Sequence, residues 1–219
     1  MNNRNYAILA GASLLLMAVA AGYAYGYVFS SLVNQADGTE TLQNIQSQTG
    51  TFMGGVIGWV AIFILDLIVS WAVWKYFELV NRLWAMITAG ARLVYSAILG
   101  VGIFQLANAS SATTGEEVME FIGSFESLWS LGLIVFGFHL LGWGKLALEA
   151  AGIPKIFGWL LLIAGVCYVG VHAAKALYPG SIEQILEVET VLSLPMAIGE
   201  LAFALWFLIK GGKTKPTVG

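Results

Sequence analysis

Six apolar runs, each about as long as a membrane is thick, constrain this sequence more than any other feature. A helix needs about 20 apolar residues to cross roughly 30 Å of hydrocarbon. Runs of that kind cover Tyr6 to Val33, Phe52 to Val73, Leu83 to Leu106, Phe125 to Leu146, Ile156 to Leu177 and Val191 to Ile209. The pattern predicts an all-α, polytopic membrane protein that is a six-transmembrane-helix bundle.

Composition and charge narrow the partners of the chain. Of the 219 residues, 58% are apolar and only 11% are charged, whereas a soluble domain usually has about 25% charged residues. The net charge of −3 and the lack of an internal Lys/Arg cluster argue against a nucleic-acid partner. The lipid bilayer is therefore the first predicted partner. The single cysteine, Cys167, cannot form a disulfide within the chain.

The distribution of Lys and Arg predicts the orientation, because cytoplasmic connections carry these residues in excess. They lie before the first span, in the second and fourth connections and after the last span, at Arg4, Lys75, Arg82, Lys145, Lys155, Lys210, Lys213 and Lys215. The first and third connections have none, and the fifth has only Lys175 at its edge. We expect both termini to be cytoplasmic, in a bacterial inner (plasma) membrane. Residues 1–210 are expected to form one domain and residues 211–219 a flexible cytoplasmic tail.

Two connections carry local structural signals. Gly152 can adopt the left-handed conformation that ends a helix, and Pro154 suits the first turn of the next helix, so the fourth and fifth spans are predicted to form a tight antiparallel pair. Ser181 with Gln184 three residues later fits a capping box. This pattern predicts a short surface helix that leads into the sixth span.

Ionisable residues inside the spans are the candidates for chemistry, since they are rare in membranes and commonly functional. Counting about 1.5 Å per residue from the nearest cytoplasmic cation places four of them at similar depth: Asp66, Arg92, His139 and Glu200. Helical spacing puts each on the face of its span that carries small residues. With a neutral histidine, two acids and one arginine sum to a charge of −1, so the cluster is expected to share one titratable proton.

Other interpretations of the same residues remain open. Asp66 and Arg92 could form a purely structural ion pair that determines which helices are neighbours. Asp66, Glu200 and His139 could supply three metal ligands, although an arginine in the same layer opposes a cation. His139 and His172 differ by several helical turns in depth, which argues against a bis-histidine haem. Catalytic residues stay unknown, and neither a metal nor a cofactor is predicted.

Several stretches resemble a known family: YAILAGASLLLMAVAAG, LDLIVSWAVWKYF, VNRLWAMITAGARLVYSAIL and FHLLGWGKLALEAAGIPKIFGWLLLIAGVCYV. They are similar to the bacterial integral membrane proteins of the domain-of-unknown-function family DUF4386. The resemblance implies shared positions at Asp66, Asn81, Arg82, Arg92, His139 and the turn from Gly152 to Lys155. Where that pattern has a basic residue and proline, this chain has Glu78 and Leu79, and Glu200 has no counterpart. No known activity follows from the resemblance.

Three functions follow as hypotheses. The preferred one is a buried midplane polar cluster that binds or transports a small polar or anionic solute, or relays a proton. The first alternative is a structural or accessory subunit whose partner is another membrane protein, and the second is an intramembrane metal-dependent enzyme, although we lean against an enzyme. A water-accessible cavity that extends to Arg92 would favour the first hypothesis, a sealed core the second, and a metal at His139 the third.

Overall fold

The computed structural model describes residues 2–213, and within that range every secondary-structure element is helical. Six helical segments of the described range are long and apolar enough to cross a membrane, and they are the first to sixth spans below: Asn3–Leu32, Thr49–Phe77, Arg82–Ser111, Gly115–Glu149, Lys155–Leu177 and Pro179–Ile209. The predicted all-α fold with six spans is confirmed. The cytoplasmic location of the termini stays a prediction.

The first connection contains a helix, Gly38–Ser47, that the sequence analysis did not predict. Asp37 caps this helix, because its Oδ1 accepts hydrogen bonds from the backbone N–H groups of Thr39 at 2.9 Å and Glu40 at 3.0 Å. An aspartate in this position satisfies backbone donors that the first helical turn leaves unpaired. The segment is short and polar, so it has too little apolar periodicity for a helix to be predicted from it.

The described chain divides into two compact units. The first takes in the described residues of Met1–Leu15, Asp66–Ser96 and Ser130–Gly219, and the second takes in Leu16–Leu65 and Ala97–Trp129. An aromatic cluster forms much of the core of the second unit, with Trp59 lying 5.0 Å from Phe125 and 4.9 Å from Trp129 between ring centroids. The polar residues predicted to form a site all belong to the first unit.

The first span changes its helical geometry part-way. Asn3–Ala21 is a regular α-helix, Gly22–Phe29 is a π-helix, and Ser30–Leu32 returns to α-helix. Rings four residues apart stack on the π-helical stretch, with Tyr25 and Phe29 at a centroid distance of 5.2 Å. π-helices are rare and are commonly single-turn insertions, so this segment is unusually long.

The turn between the fourth and fifth spans has the predicted form. Gly152 has a φ of 81°, in the left-handed region that a Cβ disfavours, and Pro154 lies at the N-cap position directly before Lys155, one residue ahead of the first turn in which it was predicted. The two spans then pack closely, since a Cβ at Gly144 would lie 2.8 Å from the carbonyl oxygen of Gly158. Small residues permit this backbone approach, which drives helix association in lipid.

The start of the sixth span contradicts the predicted capping box. The Ser181 side chain makes no capping hydrogen bond, and its backbone φ and ψ of −116° and 26° are outside the extended conformation usual for a cap. Ile182–Ile209 is one continuous helix, so the predicted surface helix and the sixth span are a single element. Neither glycine nor proline occurs between Ile182 and Leu194 to interrupt it.

The end of the sixth span folds back onto the start of the first. The Arg4 guanidinium donates hydrogen bonds to the carbonyl oxygens of Phe207 at 3.0 Å and Gly211 at 2.7 Å, and also to that of Leu208. These carbonyls have no partner within the helix. A cation at this end also interacts favourably with the negative end of the helix dipole. Gly211 is thus buried within the predicted tail, while residues 214–219 of that tail lie outside the described residues.

Candidate functional site

The second and third spans bring Asp66 and Arg92 into direct contact. Arg92 donates to Oδ1 of Asp66 from Nε at 2.8 Å and from Nη2 at 2.6 Å. Both side chains have an exposed fraction of 0%. A buried charge pair of this kind persists only with good geometry and further hydrogen bonds, because both ions have lost their hydration.

The fourth span adds His139 to this pair. Nη1 of Arg92 lies 3.1 Å from Nε2 of His139, and Nδ1 of the same ring lies 2.8 Å from the carbonyl oxygen of Thr88. Arginine can only donate, so Nε2 accepts, and Nδ1 carries the hydrogen that is donated to Thr88. This pattern assigns a neutral imidazole with a defined tautomer. We call Asp66, Arg92 and His139 the Arg92 cluster.

Neighbouring polar contacts hold the helices that carry the Arg92 cluster. The Ser70 hydroxyl donates across from the second span to the carbonyl of Ala89 on the third at 2.9 Å. The fourth span approaches the third closely, because a Cβ at Gly142 would clash with Oγ1 of Thr88. The backbone of Thr88 that accepts from His139 is therefore fixed by packing as well as by hydrogen bonding.

Aromatic rings enclose the cluster on the fourth span. The guanidinium carbon of Arg92 lies 5.1 Å from the centroid of the Phe136 ring, within the range of a cation–π contact. The His139 ring packs between Phe136 at 5.6 Å and Trp143 at 5.5 Å, measured between centroids. These residues recur at helical spacing, so one face of the fourth span supplies both the imidazole and its enclosure.

Glu200, the fourth predicted residue, lies beside the cluster on the sixth span. Its carboxylate is a hydrogen-bond partner of the Tyr168 hydroxyl, and it interacts electrostatically with Arg92 and Asp66. Tyr168 comes from the fifth span and packs its ring edge-on to Phe136 at 5.3 Å. Five of the spans therefore contribute to the arrangement, and Glu200 is the less enclosed of its two carboxylates.

Tyr168 was missed by the sequence argument. Its only signal was a hydroxyl within the apolar run of the fifth span, and a tyrosine in a membrane protein is usually an interfacial anchor. Only the rotation of the fifth span shows that the hydroxyl meets Glu200 instead.

One carboxylate oxygen of the cluster is not engaged by Arg92. Oδ2 of Asp66 is buried and has no hydrogen-bond partner within the described part of the chain, and the same holds for Oγ1 of Thr88. Asp66, Glu200 and Arg92 together leave one negative charge uncompensated when both acids are ionised and His139 is neutral. An unpaired charge in a low-dielectric interior costs free energy. Binding of one proton to either carboxylate would remove that charge.

The proposed metal ligands have other partners. Asp66 and His139 both bond to the guanidinium of Arg92, and a positive group between two ligands opposes a bound cation. Across residues 2–213, no three His, Cys, Asp or Glu side chains are grouped as metal ligands.

A second polar group lies elsewhere in the first unit, and we call it the His172 group. Nδ1 of His172 lies 2.9 Å from Oγ of Ser130, and Nε2 lies 3.8 Å from Oε1 of Glu189. Lys175 pairs with the other carboxylate oxygen of Glu189 at 2.7 Å. The two histidines thus have separate sets of partners.

Comparison with known proteins identifies the family. Residues 9–211 match the family described as Domain of unknown function (DUF4386). The chain belongs to this family. An uncharacterized protein of Archaeoglobus fulgidus is similar to this DUF4386 chain, with 26% identity over 166 residues that cover 74% of this chain and 87% of that protein. No solved structure matches the chain.

The positions implied by the DUF4386 resemblance have different environments. Asp66, Arg92 and His139 meet in the buried cluster. Asn81 instead caps the third span, since its Oδ1 accepts from the backbone N–H of Trp84 at 3.2 Å. Arg82 is exposed at the start of that helix. Within this DUF4386 chain, Asp66, Arg92 and His139 belong to the candidate site, whereas Asn81 caps a helix.

Proposed function

We propose that the Arg92 cluster, together with Glu200 and Tyr168, binds one exchangeable proton inside the membrane and relays it. The observation that carries this proposal is the placement of two carboxylates around a single arginine, with Oδ2 of Asp66 not engaged by that arginine. One proton neutralises the remaining negative charge. The proton is then shared by the whole group, as in other strongly coupled pairs of acids.

The enclosure of the cluster favours a proton over a larger solute. Asp66, Arg92 and His139 have an exposed fraction of 0%. A solute would require space beside the guanidinium, whereas a proton requires only a chain of donors and acceptors. Glu200, as the less enclosed acid, is the point at which the proton enters or leaves.

The proposal includes an orientation. Because Lys and Arg concentrate at one set of helix ends, we place both termini in the cytoplasm and the protein in a bacterial plasma membrane. Asp66 and Arg92 are separated from Lys75 and Arg82 by nine and ten residues, which corresponds to about 15 Å of helix and to the middle of the bilayer.

Infrared spectroscopy of the protein in lipid tests the proton directly. A protonated buried carboxyl gives a C=O stretching band that an ionised carboxylate lacks. We expect such a band in the wild-type protein, with an intensity that changes reversibly with pH, and we expect Glu200→Gln to remove or shift it. Glu126→Gln is the matched control, because Glu126 bonds to Gln35 in the second unit.

Transport is measured separately with the protein in sealed vesicles that contain a pH-sensitive dye. With an imposed membrane potential, the wild-type protein and Glu126→Gln should change the internal pH, and Glu200→Gln should not. A pH-independent infrared spectrum would contradict proton binding. A pH-dependent spectrum without proton flux would contradict the relay. The cluster would then bind a proton without transporting it.

A purely structural role is the second candidate, and the complete burial of the Asp66–Arg92 pair favours it. Such pairs can specify which helices become neighbours, although well-packed apolar residues often stabilise as much. On this hypothesis a double Asp66→Asn, Arg92→Leu variant folds with near-normal stability, and no titrating carboxyl band exists in the wild-type protein. The same spectrum therefore distinguishes the two candidates.

A further inference from the structure

A cavity of about 370 Å3 lies at the ends of the second and sixth spans, next to the turn that joins the fourth and fifth. Its wall includes Tyr76, Gly152, Pro154, Trp206, Lys210 and Lys213. This volume is within the range of about 300 to 1,000 Å3 typical of small-molecule sites. We propose that the cavity binds the phosphate group of an anionic phospholipid.

The positive charge on the wall of this cavity is not paired with an acid of the described chain. Two other lysines near the same helix ends are paired with neighbouring acids, Lys75 with Glu78 and Lys145 with Glu149, and Lys155 donates to the carbonyl oxygen of Leu148. Lys210 and Lys213 have no carboxylate partner among residues 2–213, and no acid within that range lines the wall. Two positive charges therefore border one cavity, where a phosphate can accept charge-assisted hydrogen bonds from both ammonium groups.

The fold orders the backbone around Lys210. This lysine lies between Phe207 and Gly211, whose carbonyl oxygens accept hydrogen bonds from Arg4, and Lys213 follows two residues after Gly211. The side chain of Arg4 thus fixes the backbone on both sides of Lys210. An anion that binds there loses less conformational entropy of the protein, because this backbone is already ordered.

The aromatic residues of the wall favour a lipid over free phosphate. Trp and Tyr concentrate at membrane interfaces, where one end of the ring is apolar and the other is polar. The Tyr76 oxygen accepts a hydrogen bond from the backbone N–H of Gly212 at 3.3 Å, which leaves its own hydrogen available to the ligand. Anionic lipids collect in the leaflet that faces clustered lysines, and basic pockets between spans bind their headgroups.

Thermal unfolding of the full-length protein in a neutral detergent, with added phosphatidylglycerol, tests this site. Phosphatidylglycerol should raise the unfolding temperature, whereas phosphatidylcholine at the same mole fraction should not. A Lys210→Gln, Lys213→Gln variant should bind phosphatidylglycerol about a hundredfold more weakly, because each charged hydrogen bond contributes about a factor of ten. The matched control is Lys75→Gln, Lys145→Gln, which removes the same charge at the same end and should respond like the wild-type protein.

A single Tyr76→Phe change provides a second variant that keeps the packing of the ring. It should weaken the response to phosphatidylglycerol, and it remains informative if the double lysine variant does not fold. An unchanged response in both the lysine and the tyrosine variants would overturn the site. An equal stabilisation by inorganic phosphate alone would overturn the lipid as its ligand.

Discussion

The Arg92 cluster and the His172 group contain the same kinds of residue, yet they are built differently. Each has a histidine, a carboxylate and a cation. In the Arg92 cluster the cation bonds to both other members, and the exposed fraction of the paired side chains is 0%. In the His172 group the cation bonds only to Glu189, the paired side chains of Lys175 and Glu189 are 20% and 25% exposed, and the histidine turns to Ser130.

From this difference we expect burial and connectivity, more than residue type, to determine how much stability each group loses when one partner is removed. Removal of one partner from a buried pair leaves a charge without hydration, which is strongly destabilising. A partly exposed pair keeps some hydration and contributes little.

Asp66→Asn should have the largest effect. It removes the carboxylate that bonds directly to the buried guanidinium of Arg92, and we expect the free energy of unfolding to fall by roughly 3 to 5 kcal/mol. Equilibrium unfolding in mixed micelles of mild detergent and SDS measures this change. The double Asp66→Asn, Arg92→Leu variant should recover much of the loss, and a double variant no more stable than the single one would contradict the pair as the cause.

His139→Phe comes next and is compared directly with His172→Phe. The first change removes the acceptor of a charged N–H of Arg92, at a cost of about 1.5 to 3 kcal/mol, and the second removes a neutral contact to Ser130, at a cost of about 0.5 to 1.5 kcal/mol. Both are measured by the same unfolding titration. Equal losses would show that the two histidines are equivalent and would break the comparison.

Gly142→Ala tests the packing that supports the cluster. The new Cβ would clash with Oγ1 of Thr88, and overpacking of this kind costs about 1 to 3 kcal/mol. Thr88→Ala in the same chain removes the atom that clashes and should restore part of the stability. If Gly142→Ala is neutral by itself, the third and fourth spans are less closely packed than described.

Glu189→Gln should have the smallest effect. It breaks a partly exposed pair with Lys175, so the unfolding free energy should change by about 0.2 to 1 kcal/mol, and less at high salt. The measurement is the unfolding titration at low and high ionic strength. A loss as large as that of Asp66→Asn would mean that the His172 group is buried in the membrane as fully as the Arg92 cluster.

The spans and one of their turns were determined by the sequence alone. A run of about 20 apolar residues has few alternatives in lipid, because the backbone must satisfy its own hydrogen bonds there. The left-handed conformation at Gly152 followed from a local steric preference. Asp66, Arg92 and His139 were predicted to face one another because depth and helical phase are both countable along a chain.

The partners of each atom were decided only by the tertiary structure. Tyr168 bonds to Glu200, and the imidazole of His139 bonds to both Arg92 and the backbone of Thr88. The sequence pattern does not predict how one helix is rotated against another, because that rotation depends on packing between residues far apart in the chain. Ser181 illustrates the same limit, because its capping pattern was present and the helix began with the wrong backbone conformation for it. Local patterns thus set which residues enter the membrane and at what depth, while packing sets which of them touch.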